Sequence, residues 1–262
     1  MKWYTYSMIS AETEHILRRL LAGQPTYKPV IEVLKKLEHI HMICFVGATG
    51  MGKTTLMDAL VAFDPQRYGK TRNFTSRPPR EDDDQKRYYY YQHSDEGLAP
   101  ILERIARHEN LQHNINPYTL TIYGSEVDDY PHAYNLGDIF SSSIDGFRQL
   151  GFGELRVFSV VTNPHVWIER LEARFPAGHP HREARLQEAL DSLTWSLAQN
   201  AADHTWVISP VDDVQVAVTS VDLTIRGETQ PSAGKPVDKP TDQAEARELA
   251  EQCLAKVKEL LG

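Results

Sequence analysis

"ICFVGATGMGKTTLMDAL", residues 43–60, decides how the rest of the chain is read. Within it, Gly47-Ala48-Thr49-Gly50-Met51-Gly52-Lys53-Thr54 fills every fixed position of the phosphate-loop pattern G-x-x-x-x-G-K-[ST]. The apolar run "HMICFV" before it reads as a buried strand, and the segment from about Thr54 to Phe63 reads as a helix. Glycines at these places let a loop turn its backbone N–H groups inward, where side chains would collide with a ligand. The helix N-terminus that follows adds N–H groups and a dipole that favours phosphate. The expectation is ATP on Gly47, Ala48, Thr49, Gly50, Met51, Gly52, Lys53, Thr54 and Thr55. Lys53 then reaches the β- and γ-phosphates as a catalytic cation, and the Thr54 hydroxyl ligates Mg²⁺.

Working outward, two more apolar strands are expected at Leu155–Thr162 and Thr205–Ser209. Helical patterns fall around Ala99–His108, His165–Arg174 and Glu183–Ala202. Strands alternating with helices predict an α/β protein with the P-loop NTPase fold, a parallel sheet flanked by helices. Residues 1–40 read as a helical N-terminal extension, with Ser10 or Thr13 as a cap, broken between Pro25 and Pro29. Residues 41–226 form the main domain, 227–241 a Gly/Pro/Ser linker, and 242–262 an amphipathic helix. The apolar face of that helix (Ala246, Leu249, Ala250, Cys253, Val257, Leu260) suits docking on the body or pairing with another chain.

A second anion site is expected in "NFTSRPPREDDDQKRYYYY", residues 73–91. Two prolines hold the backbone extended between Arg77 and Arg80, so both guanidinium forks have a fixed reach toward an acceptor phosphate. Here the chain resembles the guanylate kinases over roughly residues 41–225. Their acceptor segment T-[ST]-R-x-P-R is matched by Thr75 to Arg80, and their following tyrosine by Tyr89. "YGS" at Tyr123-Gly124-Ser125 matches a further signature that also holds the acceptor phosphate. The resemblance implies an NMP-binding subregion at about 73–126 and a lid at about 170–186. It implies that Arg170, Arg174 and Arg185 close over the γ-phosphate, and the spacing of the three is kept without a gap.

The groups that read guanine in that family are replaced. The resemblance puts Gln112, or Asn114 with the insertion placed differently, where the family has a glutamate, and Asn73 where it has a serine. Unbroken spacing from Tyr123 to Gly146 drops the family's strand-end aspartate on Ser143 and the acid two positions earlier on Ser141. Asp138 and Asp145 lie out of that register and are set aside. An ionised carboxylate offers two acceptors to the N1–H and N2–H₂ donors of guanine, whereas an amide offers one and no charge. Losing such a charge-assisted bond costs about 1.5–3 kcal/mol. The amides suit an edge that mixes donors and acceptors, such as a pyrimidine or a modified base.

The leading expectation is ATP-dependent phosphoryl transfer to a nucleoside monophosphate, with a non-catalytic binding module as the alternative. A hydrolytic NTPase is disfavoured, because neither "LRVFSVVTNP" nor "GDIFSSS" places an acid where it is needed. A formal charge of −8 disfavours a broad nucleic-acid surface. No apolar run approaches a membrane span and the N-terminus shows no signal-peptide pattern, so a cytoplasmic location is expected. Cys44 reads as a buried thiol, Asp82–Asp84 as a solvated loop, and His179 with His181 as an incomplete metal set. Tyr88 to Tyr91 are expected to alternate, two inward and two outward.

Overall fold

Helices α1 (Ala11–Gly23) and α2 (Ile31–Leu37) precede strand β1 (His41–Val46), and α3 (Lys53–Phe63) follows it across the glycine loop. Next come β2 (Tyr68–Lys70), β3 (Asn73–Thr75), β4 (Tyr88–Tyr90), α4 (Asp95–Ala106), β5 (Gln112–Ile115) and β6 (Ile122–Ser125). Then follow β7 (Tyr134–Asp138), α5 (Ile144–Gln149), β8 (Glu154–Val161), α6 (Pro164–Arg174) and α7 (Arg182–Ala198). Strand β9 (Thr205–Ile208), α8 (Val214–Arg226) and α9 (Gln243–Leu261) complete the order. The computed structural model describes residues 9–24, 27–79, 87–116, 119–210, 213–228 and 241–262. Two units form: one within Met1–Ile40, Lys70–Pro131 and Leu150–Gly153, the other within His41–Gly69, His132–Gln149 and Glu154–Gly262.

The second unit carries a five-stranded sheet ordered β2-β7-β1-β8-β9. Strand β1 runs parallel to both β7 and β8, and β9 runs parallel to β8. Five of the six residues of β1 are buried, the continuous apolar reading expected of a parallel strand covered on both faces. Phe45 stacks on Phe158 across β1 and β8, with centroids 5.7 Å apart. Helices α3, α6, α7, α8 and α9 all contribute to one apolar core with this sheet. The C-terminal helix uses its apolar face for docking: Ala246, Ala250, Cys253 and Val257 have no solvent exposure. The chain itself covers these four positions, while Leu260 at the end of the same face stays exposed. Burial pushes the Cys253 thiol up to about 12 and raises Cys44 as well, so both stay inert thiols.

The first unit carries a four-stranded sheet ordered β4-β3-β6-β5, with β4 parallel to β3 and the other neighbours antiparallel. Ser10 caps α1 by accepting from Thr13 N at 3.2 Å. Leu17 of α1 enters the same core as Phe74, Leu98, Ile101 and Ile122, so residues read as an extension belong to the packing of this sheet. Helix α4 begins at Ser94, whose hydroxyl accepts from Gly97 N, and carries Pro100 within its first two turns. Among the described residues no helix is long and apolar enough to cross a membrane.

Candidate functional site

The glycine loop opens on a cleft of about 360 Å³ in the second unit. Gly47, Gly50 and Gly52 have φ of 151°, 90° and 93°, a region closed to most side chains. A Cβ on Gly52 would enter the Ser209 hydroxyl, and one on Gly47 would lie 2.7 Å from the Val160 carbonyl oxygen. The loop is also held from α6: Trp167 Nε1 donates to Thr49 O at 3.0 Å, and Arg170 Nη1 to Gly50 O at 3.3 Å. Lys53 is buried and donates to Gly47 O and, at 3.1 Å, to Ala48 O. Gly52 provides no side-chain cap to the first N–H groups of α3. Thr54 and Thr55 are exposed on the cleft wall.

Of the three arginines expected in a lid, two line this cleft and one does not. Arg170 and Arg174, one turn apart on α6, join Lys53 as its cations. The Arg185 guanidinium, on α7, pairs with Glu188 and stacks over Phe175 at 5.8 Å. Glu188 also accepts from the Thr49 hydroxyl at 3.4 Å. The turn between the helices is tied by Arg182, which donates to Phe175 O at 2.6 Å. His179 and His181 lie in it with ring centroids 5.6 Å apart. No group of three or more His, Cys, Asp or Glu side chains is placed to hold a metal among the described residues.

The strand-end acid is Asp138, which the sequence reading set aside in favour of the Ser143 register. Strand β7 pairs with β1 as far as Phe45↔Asp138, and the Asp138 carboxylate lies 3.7 Å from Lys53 Nζ. Ser141 and Ser143 instead form a one-turn 3-10 helix beyond the strand. The last ladder bond, Ile139 N to Phe45 O at 3.0 Å, fixes where the strand stops. "YNLGD" escaped notice because Asn and Gly are poor strand formers and the run is short. Its signal was the acid closing an otherwise buried Asn-Leu-Gly run. The objection that no strand presents an acid near the loop falls with it. Thr54 and Asp138 offer hard oxygen donors that fit Mg²⁺ but are too few to hold it alone, so the ion would share phosphate oxygens and water.

In the first unit the pleat sorts the expected acceptor residues. Pairing of Gln112 with Ser125 and of Thr75 with Tyr123 puts Asn73, Gln112, Tyr123 and Ser125 on one sheet face. Arg77 joins that face, its guanidinium 5.2 Å from the Tyr88 ring centre and 5.8 Å from that of Tyr90, and donates to Pro78 O at 2.9 Å. Side chains build this turn: Arg77 N donates to Thr75 Oγ1 at 3.2 Å, and Ile122 N to Ser76 Oγ at 2.9 Å. Tyr89 is a correction. It pairs in register with the fully buried Phe74 and therefore faces the core, opposite Arg77. Its hydroxyl donates to Asp129 Oδ2 at 3.1 Å, and burial, then the Asp129 carboxylate, push its pKa up. Tyr88 and Tyr90 take the place on the Arg77 face that the resemblance gave to Tyr89.

Ser125 is fully buried, accepts from Gln112 Nε2 at 3.3 Å and lies 3.0 Å from the Tyr130 hydroxyl. It thus orients the Gln112 side chain. Arg80 and Asp82–Asp84 lie outside the described residues. Among solved structures, the chain is similar to a guanylate kinase from Anaplasma phagocytophilum, with 15% identity and a TM-score of 0.46 over 73% of this chain and 88% of that one. It is also similar to a gluconokinase from Sinorhizobium meliloti 1021, with 15% identity and a TM-score of 0.31 over 85% of this chain and 96% of that one. No protein-family model matches the chain, and no curated protein does.

Proposed function

We propose that this chain is an ATP-dependent phosphotransferase whose acceptor is a nucleoside monophosphate with a base other than guanine. The observation that carries the reading is the gathering of Lys53, Arg170 and Arg174 with the Asp138 carboxylate around an uncapped glycine loop. ATP with Mg²⁺ supplies the phosphoryl group. The loop N–H groups and Lys53 hold the triphosphate tail, and Thr54 with Asp138 orients the ion. Arg170 and Arg174 neutralise charge that grows on the transferring group. Arg77, with Arg80, grips the acceptor's phosphate, while Gln112, Asn73 and Tyr123 meet its nucleoside. No side chain forms a covalent intermediate; alignment and charge neutralisation supply the catalysis.

The test is coupled ADP release with ATP–Mg²⁺ and each ribo- and deoxynucleoside monophosphate in turn. Acceptor-dependent ADP with a clear preference for a base other than guanine is the expected result. If GMP proves the best acceptor by far, the altered-base reading fails. Asp138 beside Lys53 favours a second reading, hydrolysis, because a strand-end acid can hold magnesium for attack by water. ADP release at the same rate with no acceptor present would select it. Tight ATP binding with no ADP at all would select a binding module.

A further inference from the structure

Thr49 lines the cleft from within the glycine loop, and two helices of the same unit hold it. On one side the fully buried Trp167 of α6 donates from Nε1 to its carbonyl oxygen at 3.0 Å. On the other, the Thr49 hydroxyl donates to Glu188 Oε1 of α7 at 3.4 Å. The second oxygen of that carboxylate pairs with Arg185 Nη1, three residues earlier and on the same helix face. Arg185 is steadied in turn by the Phe175 ring at the end of α6, 5.8 Å from its guanidinium. The contacts therefore run from Phe175 through Arg185 and Glu188 to Thr49, and end on the phosphate loop.

That order bears on what Arg185 does. A carboxylate beside a loop that receives phosphate repels the ligand unless a cation cancels it. Arg185 is that cation, so Glu188 can grip the Thr49 hydroxyl without opposing the triphosphate. The two side chains are 34% and 23% exposed, and a pair so open to water adds little to stability. We propose that Glu188 and Arg185 are positioning residues for the phosphate loop: Arg185 acts on bound ATP through Glu188 and Thr49, and not by touching the transferring phosphoryl group. The inference rests on the phosphotransferase reading and deepens it. It separates Arg170 and Arg174, which line the cleft, from an arginine that serves the loop from behind.

The test uses the full chain with Arg185→Ala, Glu188→Gln and the double variant, assayed with ATP–Mg²⁺ and the best acceptor. Arg185→Ala leaves the carboxylate uncompensated beside the loop. It is expected to raise KM for ATP about tenfold, the scale of one charge-assisted contact, while kcat stays within about twofold. Adding Glu188→Gln should reverse most of that rise, because the amide still accepts from Thr49 and carries no charge to cancel. A fall in kcat of about a hundredfold that persists in the double variant overturns the proposal, since Arg185 would then act on the phosphoryl group itself. An unchanged KM in Arg185→Ala, or a rise that Glu188→Gln does not reverse, also overturns it and leaves the phosphotransferase standing. Should Arg185→Ala fail to fold, Arg185→Gln carries the same comparison. Absence of any acceptor-dependent transfer overturns the phosphotransferase, and calorimetric ATP affinity then decides the positioning role. A loss in Arg185→Ala that Glu188→Gln reverses supports it; no loss, an unreversed loss, or a wild type that binds no ATP removes it.

Discussion

Lys53 shows what a single residue does in this chain. Its ammonium is buried against two loop carbonyls and the Asp138 carboxylate, so the loop is held in shape with the cation already in place. Lys53→Ala should reduce transfer at least a hundredfold or so, the scale of losing one preorganised charge donor, while circular dichroism stays that of the wild type. Turnover at the wild-type rate in that variant would mean the site lies elsewhere. Gly52 is constrained differently. Its φ of 93° and the nearness of Ser209 mean that Gly52→Ala adds both backbone strain and a collision. A stability loss of about 1–3 kcal/mol is expected from the strain, together with weakened ATP binding. Adding Ser209→Gly should relieve the collision and not the strain, so denaturant titrations of the double variant should show partial recovery.

Elements act through register. Because β4 pairs with β3 at Phe74↔Tyr89, one tyrosine in two is turned from the Arg77 face to the core. Tyr89→Phe should therefore cost about 1 kcal/mol of stability by removing one of the hydrogen bonds to Asp129, which keeps that from Glu126 N, with KM for the acceptor unchanged. A rise in KM without loss of stability would put Tyr89 back in the acceptor site. Helix α9 acts by covering. Val257 is fully buried in the core shared with β8, β9 and α7, and a charge there has no partner. Val257→Asp should lower the thermal midpoint by many degrees, or prevent soluble expression. A normal midpoint would show that the helix adds nothing to the fold.

For the whole molecule, pH is the informative variable. Burial holds His113 down to about 4, and it lowers His93 and His204 as well. A histidine whose folded value lies below its unfolded one keeps its full contribution above about pH 6.5, and loses it as the pH falls toward 4, because the unfolded chain takes up the proton first. Urea midpoints should accordingly be lower at pH 5 than at pH 7, and His113→Phe should shrink the difference. Equal midpoints at the two pH values would show that these rings are solvated. The negative total charge makes the cationic cleft a local feature, so ATP affinity should fall only modestly with added salt.

The amino-acid order alone determined the strand–loop–helix at 41–63, since a phosphate loop is a local device written in adjacent glycines, a lysine and a threonine. The long periodic helices and the buried strands β8 and β9 were legible for the same reason: their patterns are carried by near neighbours. Asp138 was not, because its importance comes from pairing with β1, some ninety residues earlier, in a strand too short and too polar to announce itself. Nor was the face of Tyr89, which a shift of one residue would reverse. Arg170 and Arg174 were legible as cations one turn apart. Whether Arg185 joins them depends on where Glu188 stands, and only packing in three dimensions decides that.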